Sequence, residues 1–397
     1  MLFSLALIFL CGLLLGSIFK RFNLPSLLGM LLTGIILGPY ALDLFTPTLL
    51  DISADLRQIA LIVILTRAGL ALNLDELKKV GRPAILMCFV PACLEILGVI
   101  IIAPILLNIS ILDAAIMGTV LAAVSPAVIV PRMLKLIKKG YGTNKAIPQL
   151  IMAGASVDDV FVIVLFTALL GLTQGQEITA MSFLRIPVSI ISGIAVGILI
   201  GIILSVFFTE FRVRDTGKIL ILLSISFLLV TLEQSVEGLV PFSGLLSIMA
   251  LSATLNRKKT KVSVRLERKF SKLWVASEVL LFVLVGATVD ISYALSSGII
   301  VSGVILFGLV LRILGVYLSM VKTNLNKKER LFCMFAYSPK ATVQAAIGSI
   351  PLSMGLASGN VILTGAVLSI IITAPMGALA IDLSYKKLLS KTNEKIL

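Results

Sequence analysis

Long, nearly unbroken runs of apolar residues, separated by short polar loops, dominate the hydrophobic pattern of this chain. A transmembrane helix needs about 20 predominantly apolar residues, whereas a transmembrane β-barrel would show short segments of alternating hydrophobicity. The pattern therefore predicts an all-α polytopic membrane protein with about 13 transmembrane helices. The predicted spans are 2–19, 24–42, 56–73, 83–107, 112–134, 146–172, 183–208, 217–232, 236–255, 273–289, 294–321, 330–352 and 359–384.

The composition agrees with this interpretation. Apolar residues make up 58% of the 397 residues and charged residues only 14%, which is far from the composition of a soluble domain. The first apolar segment has no basic stretch before it and no small-residue cleavage site after it. We therefore expect it to be the first span and not a signal peptide.

Basic residues are unevenly distributed among the predicted loops. The chain has a formal charge of +14, yet 29 of its 34 lysines and arginines lie in odd-numbered loops or after residue 385. By the positive-inside rule, this distribution predicts a plasma (inner) membrane protein with its N-terminus outside and its C-terminus in the cytoplasm. The basic excess is thus a topology signal, and we expect no nucleic-acid partner.

Two adjacent carboxylates, Asp158 and Asp159, lie in the middle of the apolar stretch 150–172. A charge at bilayer depth costs at least about 2.5–3.5 kcal/mol, so an ionisable residue there indicates a function by default. Successive residues of a helix point about 100° apart, so the two carboxylates cannot easily share one partner. We expect one to be a ligand and the other to be at least partly structural.

Neutral oxygens near this pair would complete a site for a hard monovalent cation such as sodium or lithium. Ser156, Ser125 and the main-chain carbonyls of span five are the candidates. A carboxylate in such a site can release a proton as it takes the ion, so proton and ion compete. The metal ion expected at Asp158 and Asp159 is therefore the transported cation, and we expect no cofactor.

A weak internal repeat, offset by 213 residues, relates spans one to six to spans eight to thirteen. It is visible in Ser125-Pro126-Ala127 of span five and Ser338-Pro339-Lys340 of span twelve. Seven helices separate each equivalent pair, so the halves must cross the membrane in opposite directions, as in many transporters. Within one transport unit covering residues 1–397, we predict a first repeat 1–172, a connector helix 183–208, a second repeat 217–385 and a short cytoplasmic tail 386–397.

Helix breakers lie at mid-membrane in both of these spans. Span five contains Pro126 and Pro131, and span twelve contains Pro339. Proline removes a helical hydrogen-bond donor, and irregular backbone at this depth is tolerated only where it is buried in protein or lines a wet cavity. A simple kink would explain one such proline, but matching breaks in symmetry-related helices indicate a binding site.

Three of the other charged residues inside spans, Glu95, Arg312 and Lys340, are candidates for the core of the site. Glu95 and Arg312 are on helices that the repeat makes equivalent, so we favour a structural ion pair between them, with direct proton or ion handling as the alternative. Lys340, at the second break, could neutralise Asp158 or the C-terminal end of a half-helix, or carry a proton itself.

Together, these motifs resemble the monovalent cation:proton antiporter superfamily. The resemblance is closest to its double-aspartate branch, which includes the mammalian sodium/hydrogen exchanger-like antiporters. The matching motifs are Arg67-Ala68-Gly69-Leu70, Ala123–Pro131, Gly140-Tyr141-Gly142, Ala155–Asp159, Leu311–Leu314 and Pro339–Gly348.

The resemblance implies an NhaA-like fold, in which a dimerisation domain accompanies a six-helix core with two crossed broken helices. It implies that Asp159 is the ion and proton ligand and that Asp158 marks electrogenic exchange. It also supports Glu95–Arg312 and Asp158–Lys340 as alternative pairings. Many bacterial relatives carry a lysine where this chain has Arg312, and an arginine does not deprotonate, so a proton-carrying role at that position is in doubt.

We therefore expect a homodimeric sodium (or lithium):proton antiporter of the lipid bilayer, serving pH homeostasis and not acting as an enzyme. The alternatives within transport are a potassium:proton antiporter and a sodium-coupled organic-anion symporter of similar fold. The symporter needs a roomy polar cavity, which the few other polar residues of the spans disfavour. An intramembrane aspartyl protease needs two aspartates that face each other from different helices, and a receptor or scaffold has no reason to bury so many charges.

Overall fold

The computed structural model of the chain describes residues 1–72, 81–173, 180–211, 213–236 and 242–391. Over these ranges the chain is helical, and the only extended pairing is a single bridge between Tyr141 and Lys391. The α-helices, numbered in chain order, are α1 Leu2–Arg21, α2 Ser26–Leu37, α3 Pro47–Asp51, α4 Ser53–Ala71, α5 Arg82–Met87, α6 Val90–Leu107, α7 Ile111–Ala122, α8 Pro126–Lys139, α9 Ile147–Thr173, α10 Ala180–Glu210, α11 Asp215–Ser235, α12 Gly244–Lys258, α13 Thr260–Ala287, α14 Ile291–Ser319, α15 Lys327–Ala336, α16 Thr342–Ile347, α17 Ile350–Ser353 and α18 Gly359–Leu388.

Nine helical stretches within the described ranges are long and apolar enough to cross a membrane, which confirms an all-helical polytopic membrane protein. Each predicted span coincides with a helix, or with consecutive helices, over much of its length. The total of thirteen spans stays a prediction. The largest difference is α13, which begins at Thr260 although the predicted span begins at residue 273. Its first turns carry many exposed basic residues, so the sequence there resembles a loop. The opposite face of these turns is nevertheless buried and contains Leu266 and Phe270.

Two of the predicted spans are interrupted in the middle. One gap separates α7 from α8, and Pro126 occupies the first position of α8, where its missing N–H would have no helical partner in any case. The other gap separates α15 from α16 and contains Pro339. The predicted break at Pro131 is wrong, because this residue lies inside α8. A membrane helix can accommodate a proline without ending.

Contacts between the helices group the chain into two compact units. In the first unit α6 packs along α14 and against α7, and α18 packs against α14 and α15. In the second unit α10 packs along α12, and Gly193, Gly197 and Gly201 allow the two helices to approach closely. The first unit comprises Met1–Ala54, Leu74–Val162 and Phe282–Leu397, and the second comprises Asp55–Asn73 and Ile163–Leu281.

Every residue that the sequence singles out for an ion site lies in the first unit. The boundaries of the two units do not follow the boundaries of the two predicted repeats. The units are defined by contacts and do not test the repeat, which stays a prediction. All the candidate site residues belong to one unit.

Candidate ion-binding site

The two helix breaks lie against each other. The main-chain N–H of Ser125 donates to the carbonyl of Pro339 at 2.8 Å, and Ser125 Oγ lies 3.5 Å from Thr342 Oγ1. Gly377 of α18 leaves room for the Pro339 ring, because a Cβ at that position would collide with it. The carbonyl ends of α7 and α15, which carry partial negative charge, therefore come to the same region as the start of α8.

The last carbonyls of α7 have no partner within their own helix, and two buried cations satisfy them. Lys340 Nζ donates to the carbonyl of Leu121. Arg312 Nη1 donates to the carbonyl of Ala122. A positive charge at a helix C-terminus is electrostatically favourable, so these side chains stabilise the first break as well as any carboxylate they meet.

Arg312 also reaches the second break. Its Nε donates to the carbonyl of Tyr337, the residue that follows α15, at 2.9 Å. The guanidinium lies 5.1 Å from the centroid of the Tyr337 ring, and the Tyr337 hydroxyl in turn donates to the carbonyl of Met87 at 2.9 Å. One arginine thus holds the carbonyl ends of both α7 and α15.

Four fully buried charges form a network around these breaks. Arg312 Nη1 lies 3.1 Å from Glu95 Oε2, and Arg312 Nη2 lies 3.0 Å from Asp158 Oδ2. Lys340 Nζ lies 2.6 Å from Glu95 Oε1. All four side chains have zero or 1% exposure. Two carboxylates and two cations leave this cluster, which we call the paired network, without net charge.

The paired network confirms the predicted Glu95–Arg312 contact and corrects the Asp158–Lys340 pairing that the resemblance supported. Asp158 pairs with Arg312, and Lys340 pairs with Glu95. The planar guanidinium fork can meet two carboxylates at once, whereas an ammonium group is a point charge. Arg312 therefore bridges both acids, and Lys340 takes the remaining oxygen of Glu95.

Asp158 uses one of its two oxygens to support the first break. The main-chain N–H of Val124, which lies in the gap between α7 and α8, donates to Asp158 Oδ2 at 2.8 Å. The same oxygen accepts from Arg312. The other oxygen, Oδ1, is buried and has no hydrogen-bond partner. Asp158 is thus bound on one side only.

Asp159 lies in a different electrostatic environment, although it is the next residue of α9. Its Oδ1 is buried and has no hydrogen-bond partner. Among the described residues, no cation lies within ion-pair distance of its carboxylate. An ionised Asp159 therefore adds one negative charge that the paired network does not balance.

Several neutral oxygens lie close to the breaks. Ser125 and Thr342 are buried, and their hydroxyls face each other. Gln344 donates its Nε2 to the carbonyl of Ala123 at 2.8 Å, while its buried Oε1 has no partner. The side chain of Ser156, which was also predicted as a ligand, lies outside the described part of the structure.

The structure adds residues to which the sequence analysis gave no role. Gln344 and Thr342 follow Lys340 in a quoted motif, so their polar character in a membrane span was the available signal. Thr373 accepts the main-chain N–H of Lys340 at 2.9 Å, and nothing in the local sequence connects residues 33 positions apart. Tyr337 acts through its carbonyl, which sequence patterns do not report.

Comparison with known proteins identifies relatives along nearly the whole chain. The profile of a family described as "Sodium/hydrogen exchanger, transmembrane" matches residues 5–382. Sodium/hydrogen exchanger 9B2 of Homo sapiens is 34% identical over 422 residues, which cover 99% of this chain and 76% of that protein. Sodium/hydrogen exchanger 9B1 of Homo sapiens is 31% identical over 412 residues, covering 98% and 78%.

The fold is also similar to that of a solved structure, the sodium proton antiporter MjNhaP1 from Methanocaldococcus jannaschii. The superposition has a TM-score of 0.82 at 20% sequence identity and covers 97% of each chain. At this identity the likeness shows the fold alone, which is therefore NhaP-like.

Proposed function

We propose, starting from the membership of this chain in the sodium/hydrogen exchanger family, that Asp159 exchanges protons for a sodium or lithium ion. The family consists of transporters and not of enzymes, and the chain is accordingly a multi-pass membrane protein that performs cation:proton antiport. The observation that carries the proposal is the buried Asp159 Oδ1, which has no hydrogen-bond partner beside a network whose charges are already balanced.

Charge balance explains why one carboxylate can serve both ligands. The paired network is neutral, so the ionised Asp159 leaves a single negative charge in a largely apolar environment. Either one proton or one monovalent cation removes that charge, and the two therefore compete for Asp159. The uncompensated carboxylate is costly at bilayer depth, which favours movement of the site across the membrane only when Asp159 is loaded.

The oxygens around the breaks support an alkali cation as the second ligand. Carboxylate, hydroxyl and carbonyl oxygens suit hard cations, and Ser125 supplies a buried hydroxyl at the first break. The unpartnered Oδ1 of Asp158 and Oε1 of Gln344 add further acceptors. Ser156 remains a proposed ligand because it lies one helical turn before Asp159 in α9.

We further propose that exchange is electrogenic, with Asp158 taking the second proton. Its Oδ1 is free to accept a proton, and Arg312 would keep Glu95 and two main-chain carbonyls as partners if Asp158 became neutral. Two protons would then exchange for one cation. The competing mechanism is one-for-one exchange, which is favoured if Arg312 and the Val124 N–H hold Asp158 ionised throughout the cycle.

The orientation in the membrane and the assembly also remain proposals. The distribution of basic residues supports an N-terminus outside and a C-terminus in the cytoplasm of the plasma membrane. A homodimer is proposed on the family resemblance alone.

The proposal is tested by reconstituting the wild-type protein and Asp159→Asn into liposomes and reading lumenal pH as sodium, lithium or potassium is offered. We expect Asp159→Asn to lose cation-dependent proton flux while its thermal unfolding stays close to that of the wild type. Asp43→Asn is a matched control, because Asp43 is exposed. Wild-type flux through Asp159→Asn would remove the proposed site, and flux with potassium alone would favour the potassium:proton alternative.

A further inference from the structure

The Gly140-Tyr141-Gly142 motif has no role in the ion site, yet it lies in a loop that connects or contacts four of the helices leading to that site, α8, α9, α15 and α18. The loop, residues 140–145, connects α8 to α9. Gly140 and Gly142 have φ values of 73° and 68°, a left-handed conformation that favours glycine. The N–H groups of Gly140 and Tyr141 donate to carbonyls in the last turn of α8 at 3.0 Å, so the loop is fixed to that helix.

The loop also binds the segment that ends α18. The N–H of Gly142 donates to the carbonyl of Ser390 at 2.9 Å, and Tyr141 forms the bridge pair with Lys391. The rings of Tyr141 and Tyr385 meet edge to face, with centroids 4.9 Å apart and an interplanar angle of 89°. This arrangement joins the end of α8 to the end of α18 through both main chain and side chains.

An ion pair between the partly exposed Lys145 and the buried Glu329 connects the same loop to the start of α15. Lys145 Nζ lies 2.8 Å from Glu329 Oε2 and donates to the carbonyl of Asn324 at 2.8 Å. Glu329 is 2% exposed and also accepts the N–H of Asn326, the N-cap of α15, at 2.7 Å. Removal of Lys145 would take away the ion-pair partner that this buried carboxylate has among the described residues.

The helices joined by this loop all lead to the ion site. α8 begins directly after Ser125, α9 carries Asp159, and α15 ends at the second break. α18 carries Thr373, which accepts the main-chain N–H of Lys340. A buried hydrophobic cluster fills the space between them, with members that include Val124, Ile147, Phe332, Tyr337, Tyr385 and Leu389.

We propose that loop 140–145 with its partners Tyr385, Glu329 and residues 389–391, together called the loop clamp, positions the two helix breaks and so sets the affinity of the ion site. The inference rests on the proposed ion site. The 14 residues of α8 make a rod about 20 Å long, and close-packed interiors transmit displacements. A misplacement of about 1 Å at a reacting group can cost about 100-fold in rate, so a small shift of the loop should be measurable at Ser125.

The first experiment compares two alanine substitutions at glycines with similar positive φ values. A Cβ on Gly142 would lie 3.2 Å from Leu389 Cδ1, whereas a Cβ on Gly355, which has a φ of 75°, would have nothing within 4 Å. Both substitutions impose a similar left-handed cost, but only Gly142→Ala displaces the clamp. We expect the apparent KM for sodium to rise about fivefold or more in Gly142→Ala and to stay at the wild-type value in Gly355→Ala.

The second experiment removes the ion pair and does not depend on the glycine variants being folded. Lys145→Met should raise the KM for sodium, and Lys145→Arg should restore it. Lys328→Met removes the same charge from an exposed position of the same helix that carries Glu329, and we expect it to leave the KM unchanged. A merely structural clamp would lower the melting temperature of Lys145→Met without changing the KM.

Asp159→Asn is measured in the same liposomes to separate this inference from the site on which it rests. Inactive Asp159→Asn with wild-type KM values in folded Gly142→Ala and Lys145→Met would overturn the loop clamp and leave the ion site standing. Active Asp159→Asn would overturn the ion site itself. An equal change of KM in Gly142→Ala and Gly355→Ala would also contradict the clamp.

Discussion

Asp158 and Asp159 are neighbours on one helix, but they belong to two regions of the site that differ in charge balance. The region around Asp158 is neutral, whereas an ionised Asp159 adds a negative charge that the network does not balance. Asp158 lies in the paired network, where Arg312 and the Val124 N–H both donate to its Oδ2. Asp159 lies outside the network, and its buried Oδ1 has no hydrogen-bond partner. An ionised carboxylate is costly at either position of a membrane helix. Of the two, however, only Asp158 has a cation within ion-pair distance among the described residues.

The comparison shows that a buried charge can stabilise the backbone as well as bind a ligand. Arg312 and Lys340 satisfy carbonyls at the end of α7, and Asp158 accepts an N–H from the gap that follows. The paired network therefore holds the broken backbone in place. The open side, at Asp159, is where a proton or cation changes the charge of the site.

The largest expected effect comes from removing the centre of the paired network. Arg312→Gln leaves Glu95 and Asp158 with only one cation between them, and breaking a buried ion pair typically costs about 3–5 kcal/mol. We expect a large fall in melting temperature. The matched control is Arg132→Gln, which breaks a partly exposed pair with Asp382 and should cost about 1 kcal/mol or less. Equal losses in the two variants would contradict the structural role of the network.

Voltage dependence sharpens the difference between the two aspartates. If both take protons, one net positive charge crosses per cycle, and 100 mV is worth about 2.3 kcal/mol, or about 50-fold in the equilibrium sodium ratio. An inside-negative potential should then favour sodium extrusion. The potential is set with potassium and valinomycin, after potassium has been shown not to be a substrate. An equilibrium that ignores the potential would assign Asp158 to the structural side alone.

A double-mutant cycle measures how strongly the network is coupled. Glu95→Gln and Arg312→Gln each leave an unbalanced charge, whereas the double variant keeps Lys340 and Asp158 and is neutral again. We expect the double variant to lose about 1–2 kcal/mol less than the sum of the single losses. The measurement is thermal or denaturant unfolding of the purified proteins. Additive losses would show that Glu95 and Arg312 do not stabilise each other.

The sequence revealed the charged residues and the breaks because both conflict with a membrane span. Asp158, Asp159 and Lys340 interrupt apolar runs, and Pro126 and Pro339 interrupt helices, so each is visible without a structure. The pairing was not visible, because the sequence does not show which of the two buried cations lies beside which carboxylate. Asp158 pairs with Arg312 and not with Lys340 because the planar guanidinium can contact two carboxylates at once, which depends on the three-dimensional arrangement.

Main-chain interactions explain the remaining differences between sequence and structure. Arg312 binds the carbonyl of Tyr337, and Ser125 donates its main-chain N–H to Pro339. Such contacts require a main-chain N–H or carbonyl that is left free where a helix ends. They do not depend on the side chain of the residue that supplies this main-chain group. Similarly, Pro131 has the composition of a helix breaker but lies inside α8, because neighbouring structure decides whether a proline ends a helix.

Proton release on sodium binding tests the central claim that Asp159 is the group for which proton and cation compete. Purified protein in weakly buffered detergent solution is mixed with sodium chloride or choline chloride across a series of pH values, and the released protons are counted with a pH indicator. The wild type should release protons with sodium and not with choline, and Asp159→Asn should release none. Sodium-dependent release of as many protons from Asp159→Asn as from the wild type would contradict the account.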